Sequence, residues 1–281
     1  MYKHFYGLKK EPFNITPDPN FLYLSPTHRE ALAQIIYGVK TKKGFIVITG
    51  EVGVGKTTVL NASLKKLEEN GSITAFIFNP ELKLMDFFYI ICNELGLPKP
   101  RTKAEFLINL NDFLIDCLAK GKGPVVLFID EAQRLSSKLL EEIRLLLNLE
   151  TGAEKLLQIV LSGQPELWEK INSTELRQLK QRISLRHTIK PLNSKEVKMY
   201  VKERLTKAGG KDDIFNDKAI DKIYKYSGGI PRLINIICSN ALITGYVAEK
   251  KVINAKIIKE TVNDLDLVSH KPKRSWFLFK W

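Results

Sequence analysis

The chain has 281 residues, 44% of them hydrophobic, and a formal charge of +13 from 44 Lys and Arg against 31 Asp and Glu. That much apolar material builds a full core, so global disorder is excluded, and three scattered cysteines (Cys92, Cys117, Cys238) with four histidines form neither a disulfide framework nor a zinc-spaced set. The first residues lack the apolar run of a signal peptide and no stretch approaches the roughly 20 apolar residues of a membrane span, so the reading is a reduced, cytosolic protein whose charge suits an anionic partner: nucleotide, nucleic acid or lipid head groups.

The first predicted strand, Phe45 to Thr49, leads directly into Gly50-Glu51-Val52-Gly53-Val54-Gly55-Lys56-Thr57-Thr58 and then a helical pattern. This is a full G-x-x-x-x-G-K-[ST] sequence in the strand-to-helix context that its chemistry requires. Glycines let backbone N–H groups curl around phosphates, and the helix N-terminus adds its positive dipole end. Lys56 reaches the β- and γ-phosphates of a nucleotide, while the Thr57 hydroxyl ligates Mg²⁺.

A second strand is expected over 73–78 and a third over 125–129, the latter ending in Asp130-Glu131. In an open α/β sheet ligands bind beyond the carboxyl ends of the strands, so both acids reach the nucleotide crevice. Asp130 would hold Mg²⁺ through water and Glu131 would orient and deprotonate the attacking water; the bland reading makes them a helix-capping pair. The fourth strand, 157–161, runs into Ser162-Gly163-Gln164-Pro165, where Gln164, or less favourably Ser162, would sense the γ-phosphate and the alternative is a turn residue before a helix. Arg177 and Arg182 follow just ahead of the fifth strand, 185–189; their spacing alone favours solvated surface charge. Apolar strands separated by helical segments predict an α/β fold with a parallel sheet covered on both faces.

After Pro191 only helical patterns remain, over about 194–208, 217–226, 231–248 and 255–265, with Asn193 or Ser194, Asn216 and Asn254 as caps. Arg232, in the first turn after Gly228-Gly229-Ile230-Pro231, is a cation at a helix N-terminus, which calls for an anion such as a nucleotide; the alternative is a plain surface arginine. Three parts are expected: residues 1–190 as the sheet domain with its N-terminal segment, 191–265 as a helical lid, and 266–281 as a basic, aromatic tail. That tail carries Lys271, Lys273, Arg274 and Lys280 among Trp276, Phe277, Phe279 and Trp281, a pattern suited to an anionic membrane surface.

Together these residues resemble an AAA+ ATPase, and more narrowly the general secretion pathway protein A (ExeA-like) family, over about residues 3–265. The resemblance is carried by Phe5-Tyr6-Gly7-Leu8, Pro12-Phe13, Thr16-Pro17-Asp18-Pro19, Phe21-Leu22-Tyr23-Leu24-Ser25, Glu131-Ala132-Gln133, Leu149-Glu150, Gly163-Gln164-Pro165-Glu166-Leu167, Leu176-Arg177-Gln178-Leu179 and Gly229-Ile230-Pro231-Arg232. It implies a five-stranded sheet of order 5-1-4-3-2 with a helical lid, an ATPase using ATP and Mg²⁺, and a homo-oligomer, ring-like in form, with nucleotide between neighbours. In that picture Lys56 and Thr57 are Walker A, Asp130 and Glu131 Walker B, Gln164 sensor 1 and Arg232 sensor 2, with Arg182 the arginine finger and Arg177 its reserve. The N-terminal segment would lie beside the adenine, with Tyr23 or Phe13 touching the base or serving as core. Longer members continue through a membrane span into a periplasmic peptidoglycan-binding part, and residues 271–281 resemble the cytoplasmic edge of such a span, placing the protein in the cytoplasm or peripherally on the inner membrane. The client would be an envelope or secretion system. Competing readings are a nucleic-acid-binding AAA+ regulator of the transposition or replication-initiator type, and a nucleotide-dependent scaffold.

Overall fold

The structure is a computed structural model that describes residues 1–14, 21, 23–78, 81–152 and 154–267. The family-like residues Thr16 to Pro19 and Leu22, and the tail from 268 on, lie outside the described residues. In chain order the elements are α1 (Tyr2–Phe5), α2 (Pro26–Lys40), β1 (Phe45–Gly50), α3 (Lys56–Glu68), β2 (Ile73–Ile77), α4 (Leu84–Glu94), α5 (Lys103–Ala119), β3 (Val125–Ile129), α6 (Ser137–Leu146), β4 (Leu157–Gly163), α7 (Pro165–Ile171), α8 (Arg177–Gln181), β5 (Leu185–Ile189), α9 (Ser194–Lys207), α10 (Asp217–Ser227), α11 (Pro231–Val247) and α12 (Ala255–Asp264). The described residues divide into two compact units, one of Leu24–Lys190 and one of residues 1–23 with those from 191 onward.

In the first unit five parallel strands form one sheet in the order β2-β3-β4-β1-β5, the expected 5-1-4-3-2 order read from the other edge. β1, β3 and β4 are buried along their whole length because both faces are covered, which is why they read as continuous apolar runs. Alternation sends Phe45, Val47, Leu127, Ile129, Ile159 and Leu161 to a core shared with α4 to α8. Ile46, Ile48, Val126, Phe128 and Val160 go to the opposite core, against α2 and α3. The edge strand β5, Leu-Arg-His-Thr-Ile, is partly exposed and correspondingly polar at every second residue. Gln158 is buried on β4 with both ends of its amide paired: Gly44 N–H donates to its Oε1 at 2.7 Å, and its Nε2 donates to the Lys155 carbonyl at 3.1 Å.

The second unit is helical. Asn193 caps α9 in a reciprocal box with Glu196, and Asn216 and Asn254 cap α10 and α12 with their side-chain oxygens. Here the structure corrects one expectation. The N-terminal segment does not belong with the sheet domain of 1–190: Tyr6, Leu8, Phe13 and Phe21 are buried in one core with α9 to α12. The Arg204 guanidinium, 7% exposed, donates to the carbonyls of Pro12 and Asn14 and to the Tyr200 hydroxyl, and stacks over the Phe21 ring. A buried arginine is held by such carbonyl acceptors, so the segment is fastened where those acceptors are needed. Phe13 packs edge-on against Phe215 and Tyr23 edge-on against Tyr200, so both rings serve this unit's core.

Candidate nucleotide site

The loop between β1 and α3 starts where Gly50 closes a fully buried strand. A Cβ at Gly50 would lie 2.8 Å from the Ile189 carbonyl oxygen, so β5 approaches too closely for any other residue. Gly55 caps α3 at φ +102°, a backbone open in practice to glycine alone, and Val54 beside it is buried. Val52 is exposed on the loop, and Thr57 and Thr58 are half-buried on the first turn of α3. Lys56 is only 5% exposed; its ammonium donates to the carbonyls of Gly50 at 2.9 Å and Glu51 at 3.0 Å. Burial pushes its pKa down, opposed by the charges of Glu131, Asp130, Glu51 and Glu166.

Two strands away, the end of β3 delivers the acids. Asp130 N–H donates to the Ile77 carbonyl at 3.0 Å, so the strand register carries past Ile129 and sets Asp130 in place, 1% exposed. Its Oδ2 accepts from the Thr57 hydroxyl at 2.5 Å and its Oδ1 from the Glu131 N–H at 2.9 Å. Thr57 and Asp130, far apart in the chain, therefore present two hard oxygen ligands side by side, a donor set that fits Mg²⁺. Glu131 sits in the left-handed region at φ +52°, just before a 3-10 turn at Ala132–Arg134. That turn redirects the chain and leaves Glu131 half-buried with no capping bond from its side chain.

A residue without an assigned role in the sequence completes the cluster. Gln133 Nε2 donates to Glu131 Oε2 at 2.6 Å while its Oε1 accepts the Gln164 N–H at 3.1 Å. The second bond fixes the amide orientation and with it the first. Gln164, at the end of β4 and the cap position of α7, also donates its Nε2 to Glu131 Oε2 at 3.3 Å. Lys170 on α7 holds the turn from below through the carbonyls of Gln133 and Leu135, at 2.6 and 2.8 Å. Ser162, the alternative to Gln164, is buried in β4 with its hydroxyl unpartnered among the described residues. The structure thus brings together Lys56, Thr57, Asp130, Glu131 and Gln164. Arg177 and Arg182 bracket α8, both exposed, with Arg182 donating to Asn148 Oδ1 at 2.9 Å, and Arg232 is exposed in the first turn of α11, in the helical unit. The signal for Gln133 was its place in Glu131-Ala132-Gln133; no periodicity or spacing marks it.

A family model described as an AAA domain matches residues 39–171. Over 260 residues the chain is 46% identical to general secretion pathway protein A of Aeromonas hydrophila, an alignment covering 92% of this chain and 47% of that protein, so the chain spans about half the length of this curated relative. In fold it is similar to Drosophila ORC bound to DNA (TM-score 0.70, 17% identity, 91% of this chain and 64% of that one) and to the Aeropyrum pernix ORC2 protein (0.64, 15%, 89% and 72%). The Thermotoga maritima RuvB Holliday junction branch migration motor is also similar (0.58, 18%, 88% and 73%). At such identities these likenesses establish the fold alone. With its AAA domain, its sheet order and this relative, the chain belongs to the general secretion pathway protein A family of AAA+ proteins.

Proposed function

We propose that the chain is an ATPase that hydrolyses ATP with Mg²⁺ in a homo-oligomer to drive assembly of an envelope or secretion system. The observation that carries the reading is the convergence of the phosphate loop and the β3 and β4 ends, with Thr57 on Asp130 at 2.5 Å and Glu131 held by Gln133 and Gln164. Lys56 and the loop N–H groups would bind the β- and γ-phosphates, and Thr57 and Asp130 would hold the metal. Bound Mg²⁺ supplies charge neutralisation on the phosphates. Glu131 would take the proton of a water whose oxygen bonds to the γ-phosphorus as the bond to the leaving ADP oxygen breaks. Gln164 would orient that water, Arg232 would meet the nucleotide, and Arg182 would act on a neighbour's nucleotide. The name of the relative supports the secretion client, and residues 271–281 would supply contact with an anionic membrane. Among the described residues no helix is long and apolar enough to cross a membrane.

The test separates binding from chemistry. Lys56→Ala should lose ATP binding, whereas Glu131→Gln should bind ATP with Mg²⁺ and hydrolyse it at least ~100-fold more slowly, the loss expected for a general base. Near-normal turnover by Glu131→Gln would remove Glu131 from the role of base. The rival reading, a nucleic-acid-binding regulator, draws on the charge of +13; binding to random-sequence DNA that weakens steeply with salt, without binding to anionic vesicles, would favour it.

A further inference from the structure

We infer that His28 is a positioning residue of the phosphate loop, holding the peptide between Val54 and Gly55 in the orientation that presents its N–H to nucleotide phosphate. The inference rests on the ATP reading above. His28 is 3% exposed in the first turn of α2, and its two ring nitrogens have different partners: Ser25 Oγ lies 2.6 Å from Nδ1, and the Val54 carbonyl oxygen lies 2.7 Å from Nε2. A carbonyl only accepts, so Nε2 carries the proton and donates, and in the neutral ring Nδ1 accepts the Ser25 hydroxyl. The Val54 carbonyl thereby sets the tautomer, and Ser25, held on Nδ1, fixes the angle of the ring.

The consequence for the loop follows from peptide geometry. In a planar trans peptide the N–H points opposite to the C=O, so fixing the Val54 oxygen on His28 directs the Gly55 N–H away from the ring. Loop N–H groups are what a phosphate binds. Gly55, at φ +102°, is also the residue least able to hold that orientation by itself, because glycine has no Cβ to restrict peptide rotation. The ring lies close enough that a Cβ on Gly55 would sit 2.8 Å from His28 Nε2, so glycine and histidine are fitted to each other. Without the donor, the peptide samples other orientations and only a fraction of molecules is ready to bind; the dissociation constant rises by the inverse of that fraction.

The experiment measures ATP and ADP affinity, with hydrogen exchange at the loop amides, in His28→Phe, His28→Gln and Lys56→Ala. Phenylalanine keeps the ring and lacks the donor, and should bind both nucleotides about ten-fold or more weakly, with faster exchange at Gly55. Glutamine places its amide nitrogen near the position of Nε2 and should stay within about three-fold of the parent protein. Should His28→Phe fail to unfold cooperatively, His28→Asn replaces it: its amide reaches the Nδ1 position, meets Ser25 and falls short of Val54, and the same loss is expected. Parent-like affinity in the Phe or Asn variant, or a loss in Gln as large as in Phe, overturns the inference. Failure of the parent protein itself to bind ATP, or ATP bound equally well by Lys56→Ala and therefore away from the loop, would instead overturn the nucleotide reading, so the two failures are distinguishable.

Discussion

Backbone conformation and packing contribute separately to the stability of the phosphate loop, and comparing its Gly55 with Gly71, a glycine outside it between α3 and β2, tells them apart. Gly71 (φ +82°) and Gly55 (φ +102°) share a left-handed backbone, but a Cβ on Gly71 meets nothing within 4 Å while one on Gly55 meets the buried His28 ring. An alanine at Gly71 should therefore lower stability by about 1 kcal/mol, the strain alone. An alanine at Gly55 adds overpacking of about 1–3 kcal/mol, so its total loss should be about 2–4 kcal/mol, and its ATP binding should fall with it. Chemical denaturation of the two variants checks the ordering. Equal losses would mean that the loop yields to the ring, and that contact with His28 leaves Gly55 unconstrained.

At the scale of elements, β1, β3 and β4 were legible because strands covered on both faces are apolar throughout, and the C-terminal helices because Asn193, Asn216 and Asn254 cap them visibly. The allegiance of residues 1–23 was not legible. It is decided by Arg204, some 190 positions away in the chain, whose bonds to Pro12 and Asn14 leave no local pattern. Arg204→Leu would strand the Pro12 carbonyl, leave the Asn14 carbonyl with its weaker bond from Asn235 Nδ2 at 3.4 Å, and leave the Tyr200 hydroxyl only its bond to Asn235 Oδ1 at 2.8 Å. Hydrogen bonds from a charged donor contribute about 1.5–3 kcal/mol each, so the helical unit should lose about 3 kcal/mol or more, and limited proteolysis should cut within residues 1–23 before the sheet unit is attacked. Cleavage that starts elsewhere, with unchanged stability, would show that the apolar contacts of Tyr6, Leu8 and Phe13 fasten the segment by themselves.

For the whole molecule, the parts of the site that lie in one unit were legible from motif and topology together: a phosphate loop after one strand and acids after another meet because parallel strands end at the same edge of the sheet. What a neighbouring subunit contributes has no such signature in one chain. Arg182 is the case in point. It follows α8 as an exposed residue, its guanidinium on Asn148, where surface arginines commonly sit for solvation alone. If it completes a neighbour's site, Arg182→Ala should bind ATP as the parent does and hydrolyse it about 10³-fold more slowly, the usual contribution of an arginine finger to transition-state charge. Mixing then separates a role in trans from one in cis. A Lys56→Ala subunit binds no nucleotide but carries an intact Arg182, and beside an Arg182→Ala subunit it supplies the arginine that the bound ATP lacks. Two inactive proteins should together regain part of the turnover, rising with the fraction of mixed contacts measured by native mass spectrometry. If mixed assemblies form and turnover stays at zero, Arg182 acts within its own subunit or the finger is Arg177, and the same mixing with Arg177→Ala decides between them.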